Sequence, residues 1–214
     1  MGRITAIEPQ KRRPKRRSIF VDGEFVAGVD QEVVFSLGLK VGQEVDEKRL
    51  QEMMRAEEIR RARDDALNLL SYRSRSTKEL ERRLKQKGYE EETIREAVTG
   101  LQRVDLINDE RFTNDWIRNR MTYRPMGKMR LTWELRQKGV APELIDEALG
   151  EIDEEKEYEA ALELAKSKAG KITEVDVRSK RQKLASLLQR RGFNWDTVSR
   201  VMIEIFREQE EEEF

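Results

Sequence analysis

The side chains with most chemistry to offer are basic residues set beside aromatics: Tyr72, Arg73, Ser74 and Arg75 in one segment, and Tyr123, Arg124, Met126, Lys128 and Arg130 in another. Arginine and lysine neutralise phosphate, and a tyrosine ring can stack on a base, so both segments are candidates for contact with nucleic acid. The tyrosines would serve equally as packing residues at helix ends. A second set, Lys85 and Lys87, Arg136 and Lys138, Arg190 and Arg191, stands just before three glycines. These cations could cap helix C-termini, or repeat as a basic stripe facing phosphates or an acidic protein surface. The densest positive run is Lys11, Arg12, Arg13, Lys15, Arg16 and Arg17. It reads as an auxiliary basic arm gaining affinity through counterion release, or as a solubilising loop.

Other chemistry is poorly supplied. The chain has no histidine and no cysteine, which removes the commonest general base, the thiol nucleophile and the soft metal ligands together. Carboxylate groups such as Asp105, Asp109 and Glu110, or Asp153 to Glu155, sit where helices start and lack calcium-loop spacing. No P-loop, dinucleotide turn or nucleophile elbow occurs. The expectation is a protein without catalysis, cofactor or metal. With 43 basic and 43 acidic residues the net charge is zero, so attraction to nucleic acid must be local. No apolar run approaches a membrane span, the basic run precedes no hydrophobic anchor, and a cytoplasmic location is expected.

The elements that must hold these residues follow from composition and period. Only 37% of the chain is hydrophobic, against roughly 45–50% in ordinary domains, while 40% is charged. That balance suits a stack of small amphipathic helical units better than one large core. Ile19 to Val29 sets two apolar runs around Asp22-Gly23, the signature of a two-residue hairpin turn. Ile4 to Ile7 could add a third strand across the basic linker KRRPKRR. From Asp30 the pattern turns helical, with a short helix ended by Gly38 and a long, highly charged helix from about Asp46 that bridges to the body with little burial of its own.

The body repeats. Gly88, Gly139 and Gly192 are 51 and 53 residues apart, and apolar residues recur eight before (Leu80, Leu131, Leu184), four before (Leu84, Leu135, Leu188), six after (Ile94, Ile145, Val198) and ten after (Val98, Leu149, Met202). Only helical periodicity gives these intervals. Each glycine stands where a helix stops in the left-handed conformation, followed by an apolar Tyr89, Val140 or Phe193. With a preceding helix, each unit is a three-helix bundle; Ser76 with Glu79, Pro142 and Asn194 are its start signals. Trp116 falls on an apolar face, whereas Trp133 lies between framework leucines and could anchor a protein interface.

These residues carry a resemblance. SYRSRSTKELERRLKQKGY, LINDERFTNDWIRNR and GKMRLTWELRQKGV resemble the RecX family, and the resemblance covers nearly the whole chain. It rests on the run Arg75 to Leu84, the step Asp109 to Phe112 and the stretch Gly127 to Gly139 together. The resemblance implies an elongated, curved, non-catalytic protein that lies along a RecA–DNA filament and tunes strand exchange. The third unit is the least family-like, because SKAGKITEVDVRSKRQK has no counterpart in the other two.

The reading is therefore a mainly all-α protein of tandem three-helix repeats with a small N-terminal β-hairpin or three-stranded cap. Its segments are 1–45 (hairpin and short helix), 46–104 (bridging helix and first repeat), 105–155 (second repeat) and 156–214 (third repeat with an acidic tail). The expected partners are the RecA filament and single- and double-stranded DNA without sequence preference, with no membrane, for a protein acting as a monomer. The contact candidates are Arg73, Arg75, Lys85, Lys87, Arg124, Lys128, Arg130, Arg136 and Lys138, with the basic arm as auxiliary. The alternative is a free-standing helical DNA-binding protein acting through phosphates.

Overall fold

A computed structural model describes residues 1–11, 13–170, 172 and 176–212, with side chains described as far as 207. Arg12 of the basic arm and the acidic side chains of the tail lie outside the described residues. The chain divides into two units, Met1–Arg75 with Glu79–Ile107, and Ser76–Lys78 with Asn108–Phe214.

The first unit opens with strands β1 (Gly2–Gln10), β2 (Arg13–Val21) and β3 (Glu24–Asp30), and a short β4 (Glu44–Val45) extends the expected three strands to four, in the order β3-β2-β1-β4. Asp22 and Gly23 both take positive φ, 50° and 87°, which closes the two-residue turn between Val21 and its partner Glu24. Arg13 to Arg17 of the basic run expected as a linker are instead the first half of β2, with Arg17 opposite Pro9 on one side and Val29 on the other. The segment is a strand because β1 pairs with it on one side and β3 on the other, which satisfies its main-chain groups from both edges. Helix α1 (Gln31–Ser36) is capped by the Asp30 carboxylate, and Gly38 at φ 61° ends it.

Helix α2 (Glu47–Tyr72) is one continuous element, capped by Asp46 accepting the Arg49 N–H at 2.8 Å. Its buried residues are Leu50, Met54, Ala62 and Ala66. Such an every-fourth-residue row drifts by about 40° per step on a helix of 3.6 residues per turn, so one helix serves two cores. Leu50 and Met54 join Ile4, Ile19, Val29 and Val33 under the sheet. Ala66 joins Leu80, Leu84, Ile94 and Val98 from α3 (Thr77–Lys87) and α4 (Glu91–Arg103), completing the first three-helix repeat.

The second unit holds two more repeats: α5 (Asp109–Tyr123), α6 (Lys128–Gln137) and α7 (Pro142–Gly150), then α8 (Glu154–Ala169), α9 (Val177–Arg190) and α10 (Trp195–Glu212). Leu131, Leu135, Ile145 and Leu149 form one core, Leu184, Leu188, Val198 and Met202 the other, and Met121 packs against both. Every framework residue named from the glycine alignment is buried. Gly88, Gly139 and Gly192 take φ of 100°, 77° and 84°, as a helix-ending turn requires. Pro142 opens α7, and Asn194 caps α10 by accepting the Thr197 N–H at 2.7 Å.

Candidate nucleic-acid interface

The two basic-aromatic turns end the first helix of their repeats, and each leaves its tyrosine outside the core. Tyr72 is 85% exposed and Tyr123 78%, so neither serves as a helix-end packing residue. The neighbouring cations differ. In the first repeat, Glu79 takes both turn arginines: Arg73 forms an ion pair with it, and Arg75 reaches it at 2.8 Å while its Nε donates to the Leu69 carbonyl at 3.1 Å. The residue aligned with Glu79 in the second repeat is Arg130, 51 positions on. The acid that gathers two cations in the first repeat is thereby replaced by a cation in the second.

In the second repeat, the turn borders a groove of about 410 Å³ lined by Tyr123, Arg124, Met126, Glu163, Lys168 and Arg191, among others. Arg124 is exposed at the C-cap of α5, Lys168 comes from the last turn of α8, and Arg191 is the C-cap of α9. Three cations thus face one groove with a single carboxylate, Glu163, among its lining. Among the described residues, no ion pair engages Arg124, Lys168 or Arg191. Helix C-termini carry partial negative charge, which favours cations there while leaving their charge available to a phosphate at the groove mouth.

The remaining candidates divide between local partners and open surface. Lys128 offers its main-chain N–H to Glu157 at 2.9 Å. Arg130 lies over the half-exposed Trp133 ring at 4.3 Å and 3.8 Å from Glu134. Lys138 sits 4.1 Å over the ring of Trp116, which stacks on Phe112 and donates its Nε1–H to Glu134 at 3.0 Å. Arg136 is exposed on α6. In the first unit, Lys85 pairs with Glu91 at 2.6 Å and Lys87 with Asp65 at 2.9 Å. Arg13, Lys15 and Arg16 line a cavity of about 1040 Å³ with Lys85, Lys87 and Glu90, so the strand brings the arm and the first glycine turn together. Arg17 is held by the Pro14 carbonyl at 2.9 Å and by Gln31, while Lys11 is exposed.

Two groove residues carried little signal in the sequence. Lys168 stands in the stretch without a counterpart in the other repeats, and Arg191 was legible only as one of the cations before a glycine. Among the described residues, no group of acidic side chains able to hold a metal ion occurs. Among the described residues, no helix is long and apolar enough to cross a membrane.

Comparison with known proteins covers most of this architecture. The family model described as the regulatory protein RecX N-terminal domain matches residues 2–46, and those of the first, second and third RecX three-helix domains match 62–101, 108–149 and 154–202. A protein named regulatory protein RecX from Clostridioides difficile (strain 630) is 32% identical over 94% of this chain and 95% of its own. Its namesake from Bacillus subtilis (strain 168) is also 32% identical, over 98% of this chain and 79% of its own. Among solved structures, one described as regulatory protein RecX superposes with a TM-score of 0.66 at 27% identity, covering 94% of this chain and 98% of the other. RecX from Lactobacillus salivarius gives a TM-score of 0.63 at 28% identity over 70% of this chain and 97% of its own.

Proposed function

The chain belongs to the RecX family of regulatory proteins, and from that membership we propose that it binds the RecA–DNA filament and restrains RecA's ATPase, strand exchange and filament growth. It does so in the cytoplasm, as a monomer, and without catalysis of its own. The observation that carries the site is the exposed Tyr123 beside Arg124, at a groove completed by Lys168 and Arg191 from the next repeat. A backbone phosphate accepts charge-assisted hydrogen bonds from the cations, and the ring offers a face to an unpaired base or an apolar filament surface. Arg130 and Arg136 of the same unit extend the contact as surface cations, while Arg73, Lys85, Lys87 and the β2 cations of the first unit serve a subsidiary role.

Titrating the protein into RecA with single-stranded DNA and following ATP hydrolysis tests this. The wild-type chain should suppress hydrolysis below one molecule per RecA, and Arg124→Ala with Lys168→Ala and Arg191→Ala should need much more protein for the same effect. No response of hydrolysis at any ratio would reject the filament role. The pairing of exposed tyrosine with cations also fits the second reading, a helical protein that grips DNA unaided. Strong, salt-sensitive DNA binding without RecA, combined with indifference of RecA to the protein, would favour it.

A further inference from the structure

Six and ten residues before its glycine, the second helix of each repeat carries two side chains that its own core does not use. In the first repeat these are Arg82 and Lys78, and in the third Ser186 and Gln182, so the fold makes no demand for apolar residues there. In the second repeat they are Trp133 and Met129, 51% and 68% exposed. They lie one helical turn apart and form a single patch. A repeat that can be built with arginine and lysine, or with serine and glutamine, at these places holds an exposed tryptophan for some reason other than packing.

The indole is also held in place. Arg130 packs its β-carbon against Gly192, where a side chain on that glycine would otherwise stand, and its guanidinium lies 4.3 Å over the Trp133 ring. One face of the ring is therefore covered by a fixed cation, and the exposed area belongs to the opposite face and the edge. The residues three and four positions from Trp133 on α6 are Met129, Arg130, Arg136 and Gln137, which include two cations and no acid. Glu134, the one carboxylate of α6, is turned to α5. There it is 13% exposed and accepts from the Trp116 Nε1–H at 3.0 Å and the Arg120 Nε–H at 2.8 Å. Arg136 is exposed, and among the described residues no ion pair engages it.

We propose that the open face of Trp133 stacks an unpaired base while Arg136 takes a neighbouring phosphate, and that this site makes the unit prefer single-stranded to double-stranded nucleic acid. The proposal rests on the reading of this unit as one that meets nucleic acid, and adds a selectivity to it. A flat ring backed by a cation and flanked by unspent positive charge suits an anionic strand whose bases present π-faces. In a duplex those faces are covered by their neighbours, and exposing one requires unstacking. An acidic protein surface fits less well. A stable protein interface needs about 800 Å² per partner around an apolar centre, and two side chains on a ten-residue helix do not make one.

The test uses the full chain carrying Trp195→Phe, which removes the other exposed indole, at low salt and without any partner protein. The probes are a short oligo(dT), an abasic strand of the same length, a duplex and polyglutamate. Oligo(dT) should quench the indole fluorescence. Trp133→Ala should abolish that quenching and weaken oligo(dT) binding by about tenfold, while leaving duplex and abasic binding within about twofold. Trp133→Phe, which keeps a ring, should retain most of the affinity, and Arg136→Ala should weaken all three nucleic acids and lower the salt slope. Unchanged oligo(dT) affinity in Trp133→Ala, or equal quenching by the abasic strand, would overturn the proposal alone. Absence of binding to every strand would overturn it together with the reading it rests on. Quenching by polyglutamate that displaces oligo(dT) would overturn it in favour of an acidic protein partner.

Discussion

The Glu157 carboxylate accepts the Lys128 main-chain N–H at 2.9 Å, joining the first turn of α8 to the start of α6. Glu157 is buried, so this N-cap is supplied by the neighbouring repeat instead of the helix's own leading residue, Gly127. Losing such a cap costs about 0.5–2 kcal/mol. Glu157→Ala should lower unfolding stability in urea by roughly that amount and raise amide exchange at Lys128, while Glu157→Gln, which keeps an acceptor, should lose less.

Glycine substitutions should separate backbone strain from crowding. Gly88→Ala meets only the cost of positive φ, about 1–2 kcal/mol. Gly139→Ala adds a collision with Lys78, and Gly127→Ala, although its φ of −74° suits alanine, drives a methyl into the Gly192 carbonyl. Crowding of this kind costs about 1–3 kcal/mol. In chemical denaturation Gly139→Ala should be the least stable, and a Gly127→Ala protein as stable as wild type would contradict the close approach.

Tyr123→Ala and Arg124→Ala should act differently on single-stranded DNA affinity. A stacked tyrosine contributes about 1–3 kcal/mol with little salt dependence, whereas each lost phosphate contact lowers the salt slope by about 0.7. Binding isotherms at several salt concentrations distinguish the two, and an unchanged slope in Arg124→Ala would remove that residue from the phosphate contacts.

Glu58 and Arg16 are both largely buried, their side chains each 13% exposed, and burial pushes the Glu58 carboxyl up despite the opposing Arg16 charge. Removing one member of a buried pair strands the other at a cost of about 3–5 kcal/mol. Arg16→Ala should therefore destabilise the first unit more than Glu58→Gln, which removes the buried charge and retains an acceptor for the Asp30 N–H. Equal losses in thermal unfolding would show that Arg16 acts only through its other partners, Glu90 and the Gly28 carbonyl.

Glu57 supplies a pH dependence. The Arg60 hydrogen bond holds its carboxyl down at about 2 from the ordinary 4.5, against the effect of burial and with help from the Ser36 hydroxyl. A carboxyl depressed in the folded state stabilises above its unfolded value and loses that contribution as pH falls toward its folded one. Stability should thus decline between pH 4.5 and about 2, and Arg60→Ala should flatten that part of the acid titration.

Local signals were legible in the sequence and long-range ones were not. Asp22-Gly23, the three glycines and their leucines state their own geometry, and the helices followed. Asp109 was readable only as an acid at a helix start, because the N–H it caps belongs to Thr77, 32 residues earlier. The run before Ile19 reads as a charged linker, since like charges conceal strand pairing that depends on β1 and β3. Glu58 is hidden in a highly charged stretch of α2, although it continues the row of Leu50, Met54, Ala62 and Ala66. The groove was half legible: the Tyr123-Arg124 pair announces itself, while Lys168 meets it only through the packing of the third repeat.

At the joint between the second and third repeats, Gly127 and Gly192 touch through main chain alone. Main chain set on main chain leaves no soft padding to compress at that point, and the Glu157 carboxylate ties α8 to the start of α6 beside it, so α5 and α8 behave like two jaws on a stiff pivot. The spacing of Arg124 from Lys168 is then a gauge set by peptide geometry. Whatever enters that groove must be the right width, because the protein has little play with which to adjust.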